Sequence, residues 1–280
     1  MAMICCIGFG LAFFAGGCQI GNREQTCTDE LNLVLHQEWQ KENLTPVAPA
    51  EDAVFLRRVR LGLTGRVPSP KEIRNFCADK SPDKKAKLIR HLLNTEEYAD
   101  RMALHYADLF RVKSEFPINL WPNAVQVYAR YLRNAAANDY SLRVMAREML
   151  TASGSNFRIA PANYFRAAAD HTPEGLARLS AMTWLGIRLE KLPPDVTAGM
   201  APFFSRIAMK DTGEWKEQIV YTDPADALVK ATAPDGEAFT IHSPGQDPRS
   251  VFADWLFEDR DRQFSRAWVN RAWFWMFGTP

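Results

Sequence analysis

The sequence predicts a mainly α fold, a multi-helix globular body with a small β-hairpin insertion near 215–242. Apolar residues recur every three or four positions along much of the chain, as they do in helices that bury one face. An oxygen-bearing side chain precedes proline at four places, a pattern typical of helix starts. The 280 residues include 34 basic and 33 acidic side chains, and this balance excludes nucleic acid as a predicted partner.

Helix starts and stops can be assigned in order. A polar tether over 19–28 is followed by a predicted helix over 29–43 and a proline-containing linker over 44–50. A second helix is predicted over 51–63, because Gly65 can take the left-handed conformation that ends helices. Helices are then expected to begin near 70, 82, 173 and 248, at the dipeptides Ser69-Pro70, Ser81-Pro82, Thr172-Pro173 and Asp247-Pro248.

The remaining elements follow from spacing and composition. Helical stripes are predicted over 124–135, 141–151 and 172–189. Pro234-Asp235-Gly236 predicts the turn of the hairpin, because proline presets φ and glycine tolerates positive φ. The last predicted helix, 264–277, carries aromatic residues all around its circumference and is expected to be buried on most sides.

The N-terminus resembles a bacterial lipoprotein signal. Residues 2–17 carry no charge and end in the small residues Ala15-Gly16-Gly17 directly before Cys18. We therefore predict a signal peptide over 1–18 and lipidation of Cys18, which implies a lipid anchor on the periplasmic face or outer membrane. An ordinary signal or uncleaved anchor, and a buried helix of a cytosolic protein, are the alternatives. Cys27 and Cys77 are left either to pair or to remain free thiols.

Several long phrases resemble one bacterial family. FLRRVRLGLTGRVPSPKEIRNF and SPDKKAKLIRHLLNTEEYADRMALHYADLFRV are similar to domain of unknown function 1549, the planctomycete-type cytochrome-associated domain. DPRSVFADWLFEDRDRQFSRAWVNRAWFWMFG resembles the opening of its C-terminal companion, domain of unknown function 1553. We therefore expect a helical domain over 51–209, a β-containing connector over 210–246 and a truncated start of the companion over 247–280. The resemblance implies an extracytoplasmic protein and names no reaction.

The resemblance also implies a haem site that this sequence lacks. Many relatives follow a phrase such as that at 184–189 with CxxCH, which attaches haem c covalently. The aligned positions here hold Lys191, Pro194 and Asp195, which supply neither thioether nor imidazole. No cofactor is therefore predicted, and the absence of CxxC or Cys/His spacing predicts no metal site.

The sequence offers only weak polar candidates for a site, and the catalytic residues are unknown. Arg101, His105 and Asp108 share one helix face and form either a charge-tuned histidine site, an exposed ion-pair ladder or a buried brace. Asn270 and Arg271 lie in the aromatic helix and form either a structural brace, with Asp254 or Glu258 as the carboxylate partner of Arg271, or a ligand-binding pair. Three aromatic residues are candidates for stacking on sugars or for the core: Trp121, Trp184 and Trp215.

These observations favour a lipid-anchored extracytoplasmic scaffold or interaction module, without a predicted catalytic role. Its predicted partners are the membrane, through the anchor, and secreted proteins. One alternative is an enzyme or accessory protein in extracellular polysaccharide degradation, because of the tryptophan content and the predicted address. The other is an electron-transfer component, which the cytochrome association implies and the missing CxxCH disfavours.

Overall fold

The structure is a computed structural model that describes residues 20–115, 117–258 and 263–279. It confirms a mainly α fold with small antiparallel sheets. The chain forms two compact units, Met1–Met102 with Ala136–Ser141, and Ala103–Ala135 with Leu142–Pro280. Within the described ranges, no helix combines the length and hydrophobicity needed to cross a membrane.

Helices make up the first unit. They are α1 Ile20–Lys41, α2 Asp52–Thr64, α3 Pro70–Ala78, α4 Lys84–Leu93 and the first part of α5 Glu96–Leu109. The predicted tether was wrong from residue 20 onward, because α1 already begins at Ile20. That stretch contains no proline, and its Glu, Gln and Arg residues favour helix propagation. The predicted linker is confirmed, since 44–50 has no regular structure.

The core of the first unit lies between α2 and α4. Val59 and Leu63 of α2 pack against Ile89 and Leu92 of α4, and all four side chains are buried. The helix before Gly65 ends as predicted, with φ 68° at Gly65 and its N–H donating to the Leu61 carbonyl. Burial of this apolar face supplies most of the stability that short helices lack by themselves.

The second unit contains the rest of α5 and most of the remaining helices. They are α6 Pro122–Ala137, α7 Leu142–Thr151, α8 Asn163–Arg166, α9 Pro173–Ser180, α10 Pro194–Met200, α11 Pro248–Glu258 and α12 Gln263–Phe277. The α-helix predicted over 172–189 is shorter than expected, because α9 passes into a π-helical turn, Ala181–Leu185, that ends at Gly186 with φ 67°. Large aromatic side chains fill the core: Phe110, Tyr128, Tyr164, Trp184, Phe203, Phe252 and Trp268.

Two small antiparallel sheets belong to the second unit. The first has the order β1–β3–β2, with β1 Gly154–Ser155, β2 Ile207–Asp211 and β3 Gln218–Thr222. The second is the predicted hairpin, β4 Ala227–Thr232 with β5 Ala238–Ser243, in which Ala227 lies opposite Ser243. The Gly236 N–H closes the predicted turn on the Ala233 carbonyl at 2.9 Å.

The first strand was not predicted, because its sequence is rich in turn-forming residues. At Gly154 φ is 126°, and an added Cβ would meet Cγ1 of Ile159 at 2.7 Å. Glycine is therefore needed there for tight packing as well as for the backbone angle. β2 was also missed, since 207–209 was assigned to the helical domain and only its last two residues fell in the predicted β-containing connector.

The last helix corrects another prediction. Phe264, Ala267 and Trp268 of α12 are buried, but Val269, Phe274 and Phe277 are 57, 50 and 46% exposed. The expectation that α12 is buried on most sides was therefore wrong. A helix whose apolar residues surround it still buries only the faces that other elements cover, and the described elements cover one side of α12.

Candidate functional site

The polar trio predicted on one helix face lies within α5. Arg101 belongs to the first unit, whereas His105 and Asp108 belong to the second. Asp108 is exposed and His105 is half-buried. The His105 imidazole stacks on the indole of Trp275 in α12, with ring centroids 4.7 Å apart and planes inclined by 20°. His105 therefore contributes to the packing of α5 on α12.

The polar pair predicted in α12 has two different environments. Asn270 is exposed, whereas Arg271 is half-buried. The Arg271 guanidinium donates a hydrogen bond to the Met182 carbonyl and lies 5.1 Å from the centroid of the Trp268 ring. Arg271 thus braces α12 as predicted, but through a backbone carbonyl and an aromatic ring.

The prediction that Asp254 pairs with Arg271 was wrong. Asp254 instead accepts a hydrogen bond from the Arg147 guanidinium of α7 at 2.6 Å. Because α7 packs against α11, the carboxylate is already committed to that helix pair. Burial lowers the pKa of Arg271, and the nearby Tyr164 phenol partly opposes this effect.

The positions aligned with the family haem motif lie on the surface. Lys191 ends the 3-10 turn Leu189–Lys191, Pro194 begins α10 and Asp195 occupies its first turn. All three are exposed. Proline at the first helical position and an acidic residue in the first turn both favour a helix start. The start of α10 therefore explains why proline and aspartate occupy positions 194 and 195.

The cysteines divide between described and undescribed parts of the chain. Cys18 lies outside the described residues. Cys27 is exposed and Cys77 is half-buried, and both are free thiols. Of the two possibilities that the sequence left open, the structure has the free thiols. In the described ranges, no three His, Cys, Asp or Glu side chains gather in an arrangement that could hold a metal ion.

The three tryptophans considered for sugar stacking lie in two different environments. Trp184 is fully buried in the aromatic core, so its candidacy for a sugar site was wrong. Trp121 and Trp215 come together at the surface, with ring centroids 4.3 Å apart and planes inclined by 65°. They remain 38 and 66% exposed, respectively. The two indoles meet edge to face, and the Lys216 ammonium lies 5.8 Å from the centroid of the Trp215 ring.

A shallow pocket of about 260 Å³ lies in the same unit. It is lined by Arg166, His171, Ile207, Met209 and Gln218. Two β2 side chains supply apolar surface, and the other three residues supply hydrogen-bonding groups. The lining thus combines a small apolar area with three hydrogen-bonding side chains.

Chain connections place the tryptophan pair beside this pocket. Trp215 lies in the turn between β2 and β3, and Gln218 of the pocket follows it by three residues. On the other side, Arg166 donates to the carbonyl of Ile118 at 3.2 Å, and Trp121 follows Ile118 by three residues. Three residues of extended chain span at most about 11 Å. Short chain segments therefore connect the tryptophan pair to residues of the pocket, and we call the pair and the pocket together the Trp–Arg166 surface.

Arg166 carries the main charge of this surface. Burial lowers the pKa of its guanidinium, and the carboxylate of Asp211 partly opposes this effect. Asp211 is held by the side chain of Gln218, whose amide nitrogen donates to it at 2.9 Å. His171 is exposed, and its ring nitrogen lies 3.4 Å from the Arg166 carbonyl oxygen. The Trp–Arg166 surface thus combines the Arg166 guanidinium and two further polar side chains with the Trp121–Trp215 pair.

Comparison with known proteins identifies the relationship of the chain. The family described as Protein of unknown function (DUF1549) matches residues 30–185. The chain belongs to this family. No curated protein and no solved structure matches the chain significantly. The match ends before residue 247, so the resemblance to the companion domain stays a prediction.

The DUF1549 segment contains only part of the Trp–Arg166 surface. Trp121, Arg166 and His171 fall within the matched residues, whereas Trp215 and Gln218 lie beyond them. Sequence reasoning singled out the two tryptophans but missed Arg166 and His171. No spacing pattern could have joined them, because tertiary packing brings these residues together.

Proposed function

We propose that the protein is a lipid-anchored, extracytoplasmic binding module that contacts saccharide chains through the Trp–Arg166 surface. The observation that carries the proposal is the exposed Trp121–Trp215 pair next to a polar pocket. Pyranose rings present apolar C–H faces that stack on indoles, and their hydroxyl groups need hydrogen-bond partners. Arg166, His171 and Gln218 supply such partners at the pocket.

The proposal corresponds to an accessory role in extracellular polysaccharide degradation. The anchor at Cys18 would hold the binding surface at the cell envelope, where polymeric substrates arrive. Covalent haem at 191–195 is not part of the proposal, because Lys191, Pro194 and Asp195 supply no attachment chemistry.

Affinity electrophoresis of the purified protein in gels containing xylan, β-glucan, pectin or alginate tests this proposal. We expect retention by at least one polymer, and weakening by about tenfold in Trp121→Ala and in Trp215→Ala, because each loses a stacking surface. Trp273→Ala is the matched control, since it removes an indole from α12, where Trp273 packs against Phe277 with ring centroids 4.5 Å apart. Equal loss in the control, or undiminished retention in the Trp121 and Trp215 variants, would contradict the proposal.

The scaffold interpretation is the second candidate, and the exposed apolar side chains of α12 favour it. Val269, Phe274 and Phe277 expose about half of their surface, as residues at protein interfaces commonly do in the unbound chain. Wild-type protein that no polysaccharide retains would favour this candidate over saccharide binding.

A further inference from the structure

A second group of polar side chains, distinct from the Trp–Arg166 surface, lies in the second unit. We call it the arginine–tyrosine cluster; it comprises Arg111, Tyr164, Thr183, Trp184, Trp268 and Arg271. Tyr164 is fully buried at its centre, and its ring lies 5.7 Å from that of Trp184. Trp184 in turn lies 6.0 Å from Trp268. The rings of Tyr164, Trp184 and Trp268 thus pack near one another within the cluster.

Two guanidinium groups flank these rings. The central guanidinium carbon of Arg111 lies 5.8 Å from the Tyr164 ring centroid, and that of Arg271 lies 5.1 Å from the Trp268 centroid. Both interact electrostatically with the Tyr164 phenol. Both arginines are half-buried, and neither has a carboxylate partner among the described residues.

The cluster contains more donors than acceptors. Nε and Nη2 of Arg111, Nη1 of Arg271 and the indole Nε1 atoms of Trp184 and Trp268 are all buried without a hydrogen-bond acceptor in the described structure. The Thr183 hydroxyl is also without a partner. The Tyr164 hydroxyl donates to the Ser180 hydroxyl at 3.4 Å. The Thr183 hydroxyl and the Trp184 indole N–H lie near the Tyr164 oxygen and oppose the rise in its pKa that burial causes, but neither makes a hydrogen bond of ordinary geometry to it. Buried donors are normally satisfied, so this concentration of donors indicates a missing acceptor.

The backbone around the cluster is unusual in two places. Arg111 follows the end of α5 with φ 57°, a left-handed conformation that helix ends normally assign to glycine. Thr183 and Trp184 lie in the π-helical turn Ala181–Leu185, and such turns occur frequently at functional sites. Strained backbone at a residue whose side chain enters a donor-rich cluster is expected where that side chain binds something.

We propose that the arginine–tyrosine cluster binds a small oxyanion, a phosphate, sulfate or carboxylate group. Such a group offers several acceptor oxygens to the planar guanidinium groups. Its negative charge also balances the positive charges of the two arginines, which have no carboxylate partner among the described residues. Arg111 and Arg271 hold the charge, and the two indole N–H groups and the Thr183 hydroxyl complete the donor set. The site is independent of saccharide binding.

Thermal unfolding of the full chain tests the proposal. Sodium phosphate, sulfate and acetate are each titrated against sodium chloride at matched ionic strength. We expect a saturable rise in Tm with at least one oxyanion. Comparison of the three rises shows whether phosphate, sulfate or a carboxylate binds most strongly. Arg271→Gln should weaken the response to that anion by roughly tenfold or more, because a charge-assisted hydrogen-bond donor is lost.

Two further variants keep the result interpretable. Arg178→Gln is the matched control, since Arg178 already pairs with Asp170 at 2.7 Å, and it should keep the anion response. Arg111→Gly should fold, because glycine accepts the positive φ without strain, yet lose the anion response. A Tm that rises no more with any oxyanion than with chloride would overturn the proposal, and so would an equal rise in Arg271→Gln and Arg111→Gly.

Discussion

At the residue scale, Arg249 shows how this protein accommodates a buried arginine. Its side chain is 2% exposed, and each of its nitrogens has a partner. Nε donates to Asp247, Nη1 donates to the Ala152 carbonyl at 2.7 Å, and Nη2 donates to Ser153 and Thr222. Arg249 therefore ties the end of α7, the end of β3 and the start of α11 together. This complete pairing contrasts with the unpaired donors of Arg111 and Arg271.

The carboxylate of Asp247 reflects the same interaction. Burial by itself raises the pKa of Asp247, but the hydrogen bonds and positive charge of Arg249 outweigh burial and bring the pKa below its ordinary value. Since the folded-state pKa is lowered, this pairing stabilises the fold above the unfolded-state pKa. The stabilisation is lost as the pH falls through the folded-state value.

We predict that Arg249→Met lowers the free energy of unfolding by about 3 kcal/mol, because Asp247 and the buried acceptors around it lose their donor. Urea unfolding followed by tryptophan fluorescence measures this change. Arg158→Met is the matched control. Arg158 is 76% exposed on its side chain and lies 3.7 Å from Glu217, so its loss should cost about 0.5 kcal/mol or less. Equal losses in both variants would show that Arg249 is not a brace.

At the element scale, the proline-led helix starts separate into two kinds. Ser69 caps α3 with a complete capping box, in which its hydroxyl accepts from the Glu72 N–H and the Glu72 carboxylate accepts from the Ser69 N–H. Ser81 has the same sequence context but does not cap α4, which begins at Lys84. Its N–H donates to the Asp79 carboxylate, which holds Ser81 in the preceding turn.

This difference predicts unequal effects of the same substitution. Ser69→Ala should lower the free energy of unfolding by about 1 kcal/mol, since an N-terminal amide of α3 loses its acceptor. Ser81→Ala should change it by less than about 0.5 kcal/mol. Urea unfolding monitored by far-ultraviolet circular dichroism measures both. A loss in Ser81→Ala as large as that in Ser69→Ala would mean that the turn before α4 depends on the Ser81 side chain.

The bounds of the aromatic helix α12 could be predicted, but its buried face could not. Its existence and bounds were predicted to within one residue, because 263–277 contains neither proline nor glycine and Gly278 follows it directly. Which of its faces is covered could not be predicted from a sequence with apolar residues on every side. Neighbouring elements decided that Phe264 and Trp268 are buried and that Phe274 is exposed.

At the scale of the whole molecule, the predicted anchor at Cys18 determines where the binding surfaces would act. We expect radiolabelled palmitate to be incorporated in a bacterial host and to be lost in Cys18→Ala, with release of the protein from the membrane fraction. Acyl chains supply the apolar area that holds such a protein at a bilayer. Cys27→Ala is the matched control and should keep the label. Persistent labelling of Cys18→Ala would contradict the predicted lipidation.

The family match extends across both units. Residues 30–185 include most of the first unit and the part of the second that contains α6 to α9. The proposed binding surface combines family residues with β2 and β3, which lie beyond the match. The predicted divisions near 51, 210 and 247 stay predictions.

The sequence by itself determined the helical class, the hairpin turn at 234–236 and the helix starts at Ser69, Thr172 and Asp247. These features depend on local chemistry: the period of apolar residues, the fixed φ of proline and the oxygen atoms that cap free amides. Tertiary structure alone decided that Trp121 meets Trp215 while Trp184 enters the core. It also gathered the donors around Tyr164, because such contacts join residues far apart in the chain and leave no periodic trace in the sequence.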